Sequence, residues 1–307
     1  MSWFAQAPSN IALIKYMGKK TTGKNIPTNA SLSYTLNHLV TQVTLEEYTG
    51  SVDRWEPLEK QGIIYHAFSE KSQERFLKHL ARIKEFFNYK GVFRVQSGNN
   101  FPHSTGLASS ASSFAALTRC AVMACSELTQ APEPSVEEQA HLSREGSGSS
   151  CRSFFSPWAI WDNKTVYSPD INLPLLEHQV ILIQKEEKKV SSSEAHQRIL
   201  TSPQVATRAL RAEDNLRSLL HALHTHAWQD AYEICWREFQ DMHALFHTAD
   251  PSFSYMTQET TKALDLIQDY WKTTGDGPLV TMDAGPNIHL LYRPHQPRLH
   301  LRDYDVL

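Results

Sequence analysis

The residues best suited to chemistry lie in a loop, residues 99–111, which reads Asn-Asn-Phe-Pro-His-Ser-Thr-Gly-Leu-Ala-Ser-Ser-Ala. It combines a proline, a glycine and several small hydroxyl residues, and it runs directly into a helix-forming stretch at 112–128. The first turn of a helix presents unpaired backbone N–H groups and the positive end of the helix dipole, which together attract phosphate. The pattern therefore indicates a phosphate-binding loop, although a helix cap with spare serines would have the same sequence. It is not a Walker A loop, because no GxxxxGK[ST] motif occurs in the chain.

Three further segments could supply charged groups. Residues 10–19 hold two lysines and a tyrosine near a glycine, a combination that suits a phosphorylated substrate. Residues 146–152 read Gly-Ser-Gly-Ser-Ser-Cys-Arg, so that the backbone can approach a ligand closely and Arg152 can bind a carboxylate through two nitrogens. Asp283 ends an apolar stretch just before a Gly-Pro turn, a position that suits a catalytic base. Each segment also has a structural explanation by itself: solvated lysines, a flexible turn, or an aspartate that caps a bend.

Composition bounds the class of protein. The chain has 307 residues, a formal net charge of -3 and 41% hydrophobic residues, so it can bury a large core in one large domain or two. The near-neutral charge gives no electrostatic reason to expect nucleic acid or an anionic membrane as a partner. No signal peptide or spanning segment is visible, and the expected compartment is the cytoplasm. The four cysteines show no CxxC spacing, which argues against a zinc site and favours reduced, buried thiols.

The elements that must position these residues follow from periodicity. Residues 42–46 and 93–96 alternate apolar with polar, as half-buried strands do, and the apolar positions of 72–87 share one helical face behind a serine cap. Ser135 and Glu138 form a capping box for a short helix.

Later in the chain, residues 158–161 and 165–167 predict a hairpin and 179–184 a buried strand. Two or three helices fit 205–271, and strands are expected at 279–282 and 288–292. Strands and helices in blocks indicate an α+β fold.

Taken together, the four segments resemble mevalonate diphosphate decarboxylases. These belong to the superfamily of galactokinase, homoserine kinase, mevalonate kinase and phosphomevalonate kinase. Residues 10–19 resemble the motif NIAxxKYWGK, with Met17 in place of tryptophan, and residues 99–111 match NNFPxxxGLASSA. Residues 146–153 match GSGSxCRS, and residues 283–287 match DAGPN. The matches follow the family's order over nearly the whole chain.

One departure concerns the substrate end of the site. Residues 190–196 resemble the family's VSS[RT]xGM loop, but Ala195-His196 stands where that motif has Gly-Met. The loop lies near the substrate in the family. The choice among mevalonate 5-diphosphate, mevalonate 5-phosphate and free mevalonate therefore stays open.

The resemblance implies a two-domain fold with the active site in the cleft between the domains. The N-terminal domain, residues 1–172, would resemble ribosomal protein S5 and bind ATP and substrate. The C-terminal domain, residues 173–307, would be a ferredoxin-like α/β sandwich that carries the catalytic aspartate. A homodimer is the family expectation.

The implied reaction is the ATP-dependent decarboxylation of mevalonate 5-diphosphate to isopentenyl diphosphate, with ADP, phosphate and carbon dioxide as the other products. By resemblance, Asp283 deprotonates or orients the tertiary 3-hydroxyl, Lys15 stabilises charge on the transferred phosphate, and Arg152 aligns the carboxylate. The resemblance also implies a set of substrate-binding residues: Tyr16, Lys19, Ser147, Gly148, Ser149 and Ser193. The implied ATP-binding residues are Asn100, Pro102, Gly106, Leu107, Ala108, Ser109 and Ser110. Mg²⁺ is expected to accompany ATP, without metal ligands being assigned.

Other functions fit parts of the sequence. A phosphomevalonate decarboxylase or a mevalonate 3-kinase would belong to the same branch. A non-catalytic relative that binds a nucleotide or an isoprenoid phosphate would be expected to lack the aspartate or the arginine, and both are retained. A purely structural α+β protein would not be expected to hold all four motifs in order.

Overall fold

A computed structural model describes residues 1–20, 25–64, 68–102, 109–184, 189–301 and 304–306. Three predicted ATP-binding residues, Gly106, Leu107 and Ala108, lie outside the described residues.

The N-terminal part of the chain forms a six-stranded sheet covered by helices. Its strands are β1 (Ser2–Ile14), β2 (Ser31–Glu47), β3 (Arg54–Pro57), β4 (Phe93–Asn99), β5 (Trp158–Trp161) and β6 (Val166–Tyr167). Its helices are α1 (Glu70–Phe86), α2 (Ser109–Thr129), α3 (Val136–Gly146) and a 3₁₀ helix (Gly148–Phe154). The strand order is β3-β4-β2-β5-β6, with β1 also paired to β2, and all pairings are antiparallel except β3 with β4. Because α2 is rich in buried alanine, serine and cysteine, it packs closely on β1 and β2.

The C-terminal part forms a second, antiparallel sheet in the order β10-β7-β9-β8. Its strands are β7 (Glu177–Leu182), β8 (Leu279–Thr281), β9 (Ile288–Tyr292) and β10 (Asp305–Val306). Its helices are α4 (Ser192–Arg198), a 3₁₀ turn (Ile199–Thr201), α5 (Val205–His224), α6 (Trp228–His247) and α7 (Gln258–Thr274). The two sheets with their helices give the α+β class predicted from the sequence.

The predicted elements are largely confirmed. The strands expected within 42–46, 93–96 and 179–184 lie in β2, β4 and β7, and the hairpin is β5 with β6. The capping box of Ser135 and Glu138 is present at the start of α3. The helix expected at 72–87 begins slightly earlier, because Ser69 accepts the backbone N–H of Ser72 and caps it.

Two segments expected as loops are helical instead. Residues 148–154 form the 3₁₀ helix, since their mostly small side chains allow tight turns such as the bond from the Ser150 N–H to the Ser147 carbonyl, 3.0 Å. Residues 192–198 form α4, because the Ser191 hydroxyl accepts the Glu194 N–H and caps the first turn. Both helices border the candidate site described below.

One hydrophobic core joins the two sheets. Tyr34 and Trp158 of the first sheet belong to the same buried cluster as Val180 and Leu290 of the second. A hydrogen bond of 3.0 Å from the Thr281 hydroxyl to the Ala12 carbonyl ties the end of β8 to the end of β1. This packing brings the segments after β1 and β8 together.

No described helix has both the length and the apolar character needed to cross a membrane.

Candidate active site

A buried ion pair between Lys15 and Asp283 lies where the two sheets meet. The Lys15 Nζ is 2.8 Å from an oxygen of Asp283, although 268 positions separate the two in sequence. The Lys15 side chain is 1% exposed and the Asp283 side chain 29%, so of the two only the carboxylate is accessible. The pair therefore presents an anion to a ligand and holds a cation directly behind it.

The surroundings set the charge of both groups. Burial lowers the pKa of Lys15, and the charge of Asp283 acts in the opposite direction. Burial by itself would raise the pKa of Asp283, but Lys15, His289 and Arg152 outweigh it and hold that pKa below the ordinary value. Asp283 is therefore a carboxylate at neutral pH.

The backbone of Lys15 is held by residues from both domains. The Lys15 N–H donates to Glu238 over 3.0 Å, and the Asn29 side chain donates to the Lys15 carbonyl over 3.0 Å. Glu238 is fully buried on α6, where it also accepts from Arg208 and Asn215 of α5. Sequence patterns did not identify Glu238, because a charged residue on an amphipathic helix is usually solvated.

His243 holds the backbone of Asp283 in place. This residue belongs to a Met-His-Ala segment of α6 and is fully buried, with its Nε2 3.2 Å from the Asp283 carbonyl oxygen. Burial, together with the nearby Lys15, lowers the pKa of His243 to about 3. The ring is therefore neutral and donates its Nε2–H to the carbonyl, which fixes the turn that carries the carboxylate.

Arg152 lies close to the ion pair and is 3% exposed. Its Nε donates to Asn10 over 3.3 Å and its Nη1 to the Ser31 hydroxyl over 2.9 Å. Asn10 in turn donates to the Ser149 carbonyl and the Ser153 hydroxyl, which binds β1 to the 3₁₀ helix. Burial lowers the pKa of Arg152, but a guanidinium stays charged at neutral pH. The guanidinium is thus fixed in orientation beside the ion pair.

Beside these charges lies a group of cations and unpaired donors suited to bind an anion, which is called the anion pocket: Tyr16, Lys19, Arg75 and Arg144. Tyr16 Oη and Arg144 Nε are both buried and have no hydrogen-bond partner among the described residues. Burial and the charge of Arg75 lower the pKa of Lys19, which places two cations close together. Two unpaired donors surrounded by cations match the oxygen atoms of a phosphate or diphosphate. Arg144 lies in the last turn of α3 and was not among the predicted site residues, so its place in this pocket comes from the structure.

Gly148 is required for the shape of this pocket. A Cβ at this position would lie 2.6 Å from the Tyr16 ring and 2.9 Å from its hydroxyl oxygen. Any larger residue would displace Tyr16. The structure thus places Gly148 in direct contact with another predicted substrate-binding residue.

The phosphate-loop serines meet the 146–152 segment. Ser147 Oγ is 3.4 Å from Ser110 Oγ, at the start of α2. Ser109 is buried and Ser110 is exposed. The structure thus brings together the segments 99–111 and 146–152, and the dipole of α2 points at their junction.

The remaining predicted residues lie at the edges of the site. Asn100 uses its side chain to bind the backbone of β2, donating to the His38 carbonyl and accepting from the Val40 N–H, each over 2.8 Å. Pro102 is half-buried beside it, and Ser149 is half-buried in the 3₁₀ helix. Ser193 is exposed in the first turn of α4, and no described contact joins it to the groups above.

Metal-binding side chains do not cluster in the described parts of the chain: no group of three or more His, Cys, Asp or Glu is placed to hold an ion.

This arrangement suits one kind of chemistry. A carboxylate with two neighbouring cations can orient a hydroxyl and stabilise negative charge as it develops. The cations of the anion pocket and the start of α2 would hold the phosphate groups of two ligands near the reacting groups.

The chain resembles decarboxylases of known structure over its entire length. Residues 7–170 match the diphosphomevalonate decarboxylase-like N-terminal domain, and residues 179–302 match the mevalonate 5-diphosphate decarboxylase C-terminal domain. The crystal structure of a mevalonate diphosphate decarboxylase from Legionella pneumophila is 53% identical, covers 100% of both chains and has a TM-score of 0.93.

More distant relatives agree. The mevalonate diphosphate decarboxylase from Enterococcus faecalis is 29% identical with a TM-score of 0.84, covering 96% of this chain and 89% of its own. The diphosphomevalonate decarboxylase of Ganoderma lucidum is 30% identical over 95% of this chain and 78% of its own. The resemblance found in the sequence motifs is thus confirmed, together with the two-domain α+β fold and the class of enzyme. The chain belongs to the diphosphomevalonate decarboxylase family.

Proposed function

We propose that the protein uses ATP to convert mevalonate 5-diphosphate into isopentenyl diphosphate, carbon dioxide, ADP and phosphate. The observation that carries the proposal is the convergence of Lys15, Arg152 and Asp283, which lie far apart in sequence, where the two sheets meet. A solved relative that is 30% identical was determined in complex with MVAPP, AMPPCP and magnesium, which supports the same ligands here.

Asp283 orients the substrate's 3-hydroxyl for attack on the γ-phosphorus. As the O–P bond forms and the bond from the γ-phosphorus to ADP breaks, the hydroxyl proton passes to the carboxylate. The depressed pKa of Asp283 makes it a weak base, but phosphoryl transfer through a loose transition state depends more on alignment than on base strength. Lys15, only 2.8 Å behind Asp283, stabilises negative charge on the group being transferred.

Arg152 acts in the second half of the reaction. Once the 3-hydroxyl carries phosphate, that phosphate and carbon dioxide are lost. A double bond then forms between the carbon that carried the phosphate and the carbon that carried the carboxylate. This step needs the substrate carboxylate aligned with the breaking C–O bond. A guanidinium fixed by Asn10 and Ser31 can hold a carboxylate in one orientation.

The anion pocket and the α2 start would hold the two phosphorylated ligands. Tyr16, Lys19 and Arg144 supply donors and positive charge for the substrate diphosphate. Ser110 supplies a hydroxyl at the helix start for the triphosphate of ATP, and Ser147, predicted to bind the substrate, lies 3.4 Å from it. Mg²⁺ would enter with ATP as part of that substrate and neutralise its phosphate oxygens.

The experiment that tests the proposal supplies ATP, Mg²⁺ and each of three compounds: mevalonate 5-diphosphate, mevalonate 5-phosphate and free mevalonate. We expect ADP and carbon dioxide in equal amounts from the diphosphate. Carbon dioxide from the monophosphate alone would overturn the substrate assignment, and ADP without carbon dioxide would identify a kinase.

Asp283→Ala provides the control within the site. We expect turnover to fall by at least about a thousandfold, since alignment and proton acceptance are both lost, while ATP still binds. Turnover close to that of the unaltered protein would exclude the role assigned to Asp283.

We also infer a domain boundary near residue 172, a homodimer and a cytoplasmic location. The change of sheet between β6 and β7 supports the boundary. Sedimentation of the purified chain and limited proteolysis would test the assembly and the boundary.

A further inference from the structure

His196 of α4 borders the anion pocket but has no part in the reaction described above. We infer that His196 donates a hydrogen bond from Nε2 to the phosphate or diphosphate end of the substrate, and so helps to select phosphorylated over unphosphorylated substrates. This inference rests on the proposed function and adds a specificity-determining residue to the same site.

The tautomer of His196 is fixed by its contact with Gly18. The Gly18 N–H donates to Nδ1 of His196 over 3.0 Å, so Nδ1 must carry the lone pair. Burial and the nearby positive charge of Lys19 lower the pKa of His196 to about 3. A neutral imidazole that accepts at Nδ1 carries its only proton on Nε2, which makes Nε2 a donor.

The contact with Gly18 also depends on an unusual backbone. Gly18 has φ +116°, a conformation that side chains rarely adopt. This geometry turns the backbone N–H toward α4. The histidine is thus held by the same segment, 15–19, that supplies Lys15 and Tyr16 to the site.

The ring lies against the pocket that is built for an anion. Its centroid is 4.6 Å from that of the Tyr16 ring, and Tyr16 Oη is one of the two unpaired donors. The influence of Lys19 on the His196 pKa shows that the cation is near. An anionic ligand that satisfied Tyr16 and Lys19 would therefore lie beside the histidine.

The donor on His196 has no acceptor within the described parts of the chain. The residue is 9% exposed, and its Nε2 is not one of the fully buried unpaired atoms of the described residues, so this donor remains accessible to a ligand. A phosphate oxygen can accept this proton in a charge-assisted hydrogen bond, which is stronger than one to a neutral acceptor. Recognition of the phosphorylated end follows, because unphosphorylated mevalonate has only its neutral 5-hydroxyl, and no charged phosphate oxygen, at that end.

Two substitutions separate this role from a merely structural one. In His196→Asn the side-chain oxygen replaces Nδ1 and can still accept from Gly18, but no donor remains at the Nε2 position. In His196→Gln the amide nitrogen replaces Nε2, and the contact with Gly18 is weakened instead. The variant His221→Asn, on an exposed face of α5 away from the site, serves as the control.

We expect His196→Asn to raise KM for the phosphorylated substrate roughly tenfold and to leave kcat within about twofold, because a hydrogen bond to a charged oxygen is lost. The inhibition constant of inorganic diphosphate should rise in parallel, and His196→Gln should lie closer to the unaltered protein. An unchanged KM and inhibition constant in His196→Asn would overturn the inference. So would a greater loss in His196→Gln, which would show that the histidine only supports Gly18.

The inference can also be tested on the unaltered protein, so that the result does not depend on whether a variant folds. With ¹⁵N-labelled histidine, the Nε2 signal of His196 should show the protonated form at neutral pH and should shift when inorganic diphosphate is added. An Nδ1-protonated ring, or no shift at saturating diphosphate, would contradict the inference. This outcome is independent of turnover, so it is distinguishable from failure of the proposed reaction.

Discussion

One end of the candidate site is built from buried charges, whereas the other, the neutral end, is built mainly from small hydroxyl residues, with Arg75 lining the same cavity. At the first end Lys15, Arg152 and Asp283 are each held by side chains or backbone from a second element. At the other end Ser110 and Ser147 meet at the start of α2 over a single contact of 3.4 Å. Asn100 anchors the base of the loop by binding the backbone of β2.

This difference follows from what each end must do. Burying charges costs free energy unless partners hold them, so the charged end needs a network that reaches into both domains. Phosphate can be bound by backbone N–H groups and a helix dipole, which exist wherever a helix begins. We therefore expect substitutions at the charged end to reduce the rate of reaction, and substitutions at the neutral end to weaken ATP binding.

The largest effect in this comparison is expected for Arg152→Lys. Lysine keeps the positive charge but cannot bind Asn10, Ser31 and a carboxylate in fixed directions at once. We expect carbon dioxide formation to fall by about a hundredfold, since misalignment alone can cost this much. ADP formation should fall less, because the arginine is assigned to the second step.

Parallel assays of ADP and carbon dioxide on the same sample provide the measurement. An equal loss of both products in Arg152→Lys would place the arginine in phosphoryl transfer rather than in alignment of the carboxylate. Retention of the full rate would show that the charge alone is sufficient.

A smaller effect on rate, with a large effect on stability, is expected for Glu238→Gln. Glu238 is fully buried, pairs with Arg208 and accepts the backbone N–H of Lys15. Removing one partner of a buried pair typically costs about 3 kcal/mol of unfolding free energy. We also expect kcat to fall by about tenfold, since the backbone that positions Lys15 is less well held.

Glu259→Gln is the matched control. Glu259 pairs with Lys262 on the exposed surface of α7, so its loss should change stability by less than about 1 kcal/mol. Urea unfolding of the two variants compares them directly. Equal stability in both would mean that the network behind Lys15 does not hold the charged end together.

The sequence predicts much of this site, but unevenly between its two ends. Lys15, Arg152 and Asp283 were identified because each lies in a short motif with recognisable residue order. They come together because β1 and β8 end side by side. The order of the motifs does not predict this by itself, and only the resemblance to the family implies it. The ion pair between Lys15 and Asp283 forms where those two strands end.

The supporting residues could not be read from the sequence. Glu238 looks like a solvated charge on an amphipathic helix, and only the packing of α6 on α5 buries it against Arg208. Arg144 likewise looks like a solvated charge at the end of α3. Only the three-dimensional structure shows that its Nε is buried and unpaired among the described residues. Local sequence patterns indicate periodicity and caps, whereas a charge becomes buried only when two elements pack against each other.

The smallest effect is expected for Ser110→Ala, at the neutral end. Ser110 is exposed at the start of α2, and its hydroxyl is one donor among several backbone groups. Loss of one neutral hydrogen bond should raise KM for ATP by about threefold and leave kcat unchanged.

Ser218→Ala, on the exposed face of α5, controls for loss of a hydroxyl elsewhere. Steady-state rates at varied ATP, with substrate saturating, separate the two parameters. A fall in kcat as large as that of Arg152→Lys would contradict the division of the site, because it would place a reacting group at the end assigned to binding. A change confined to KM would instead show that the neutral end delivers ATP to charges that the rest of the fold already holds in place.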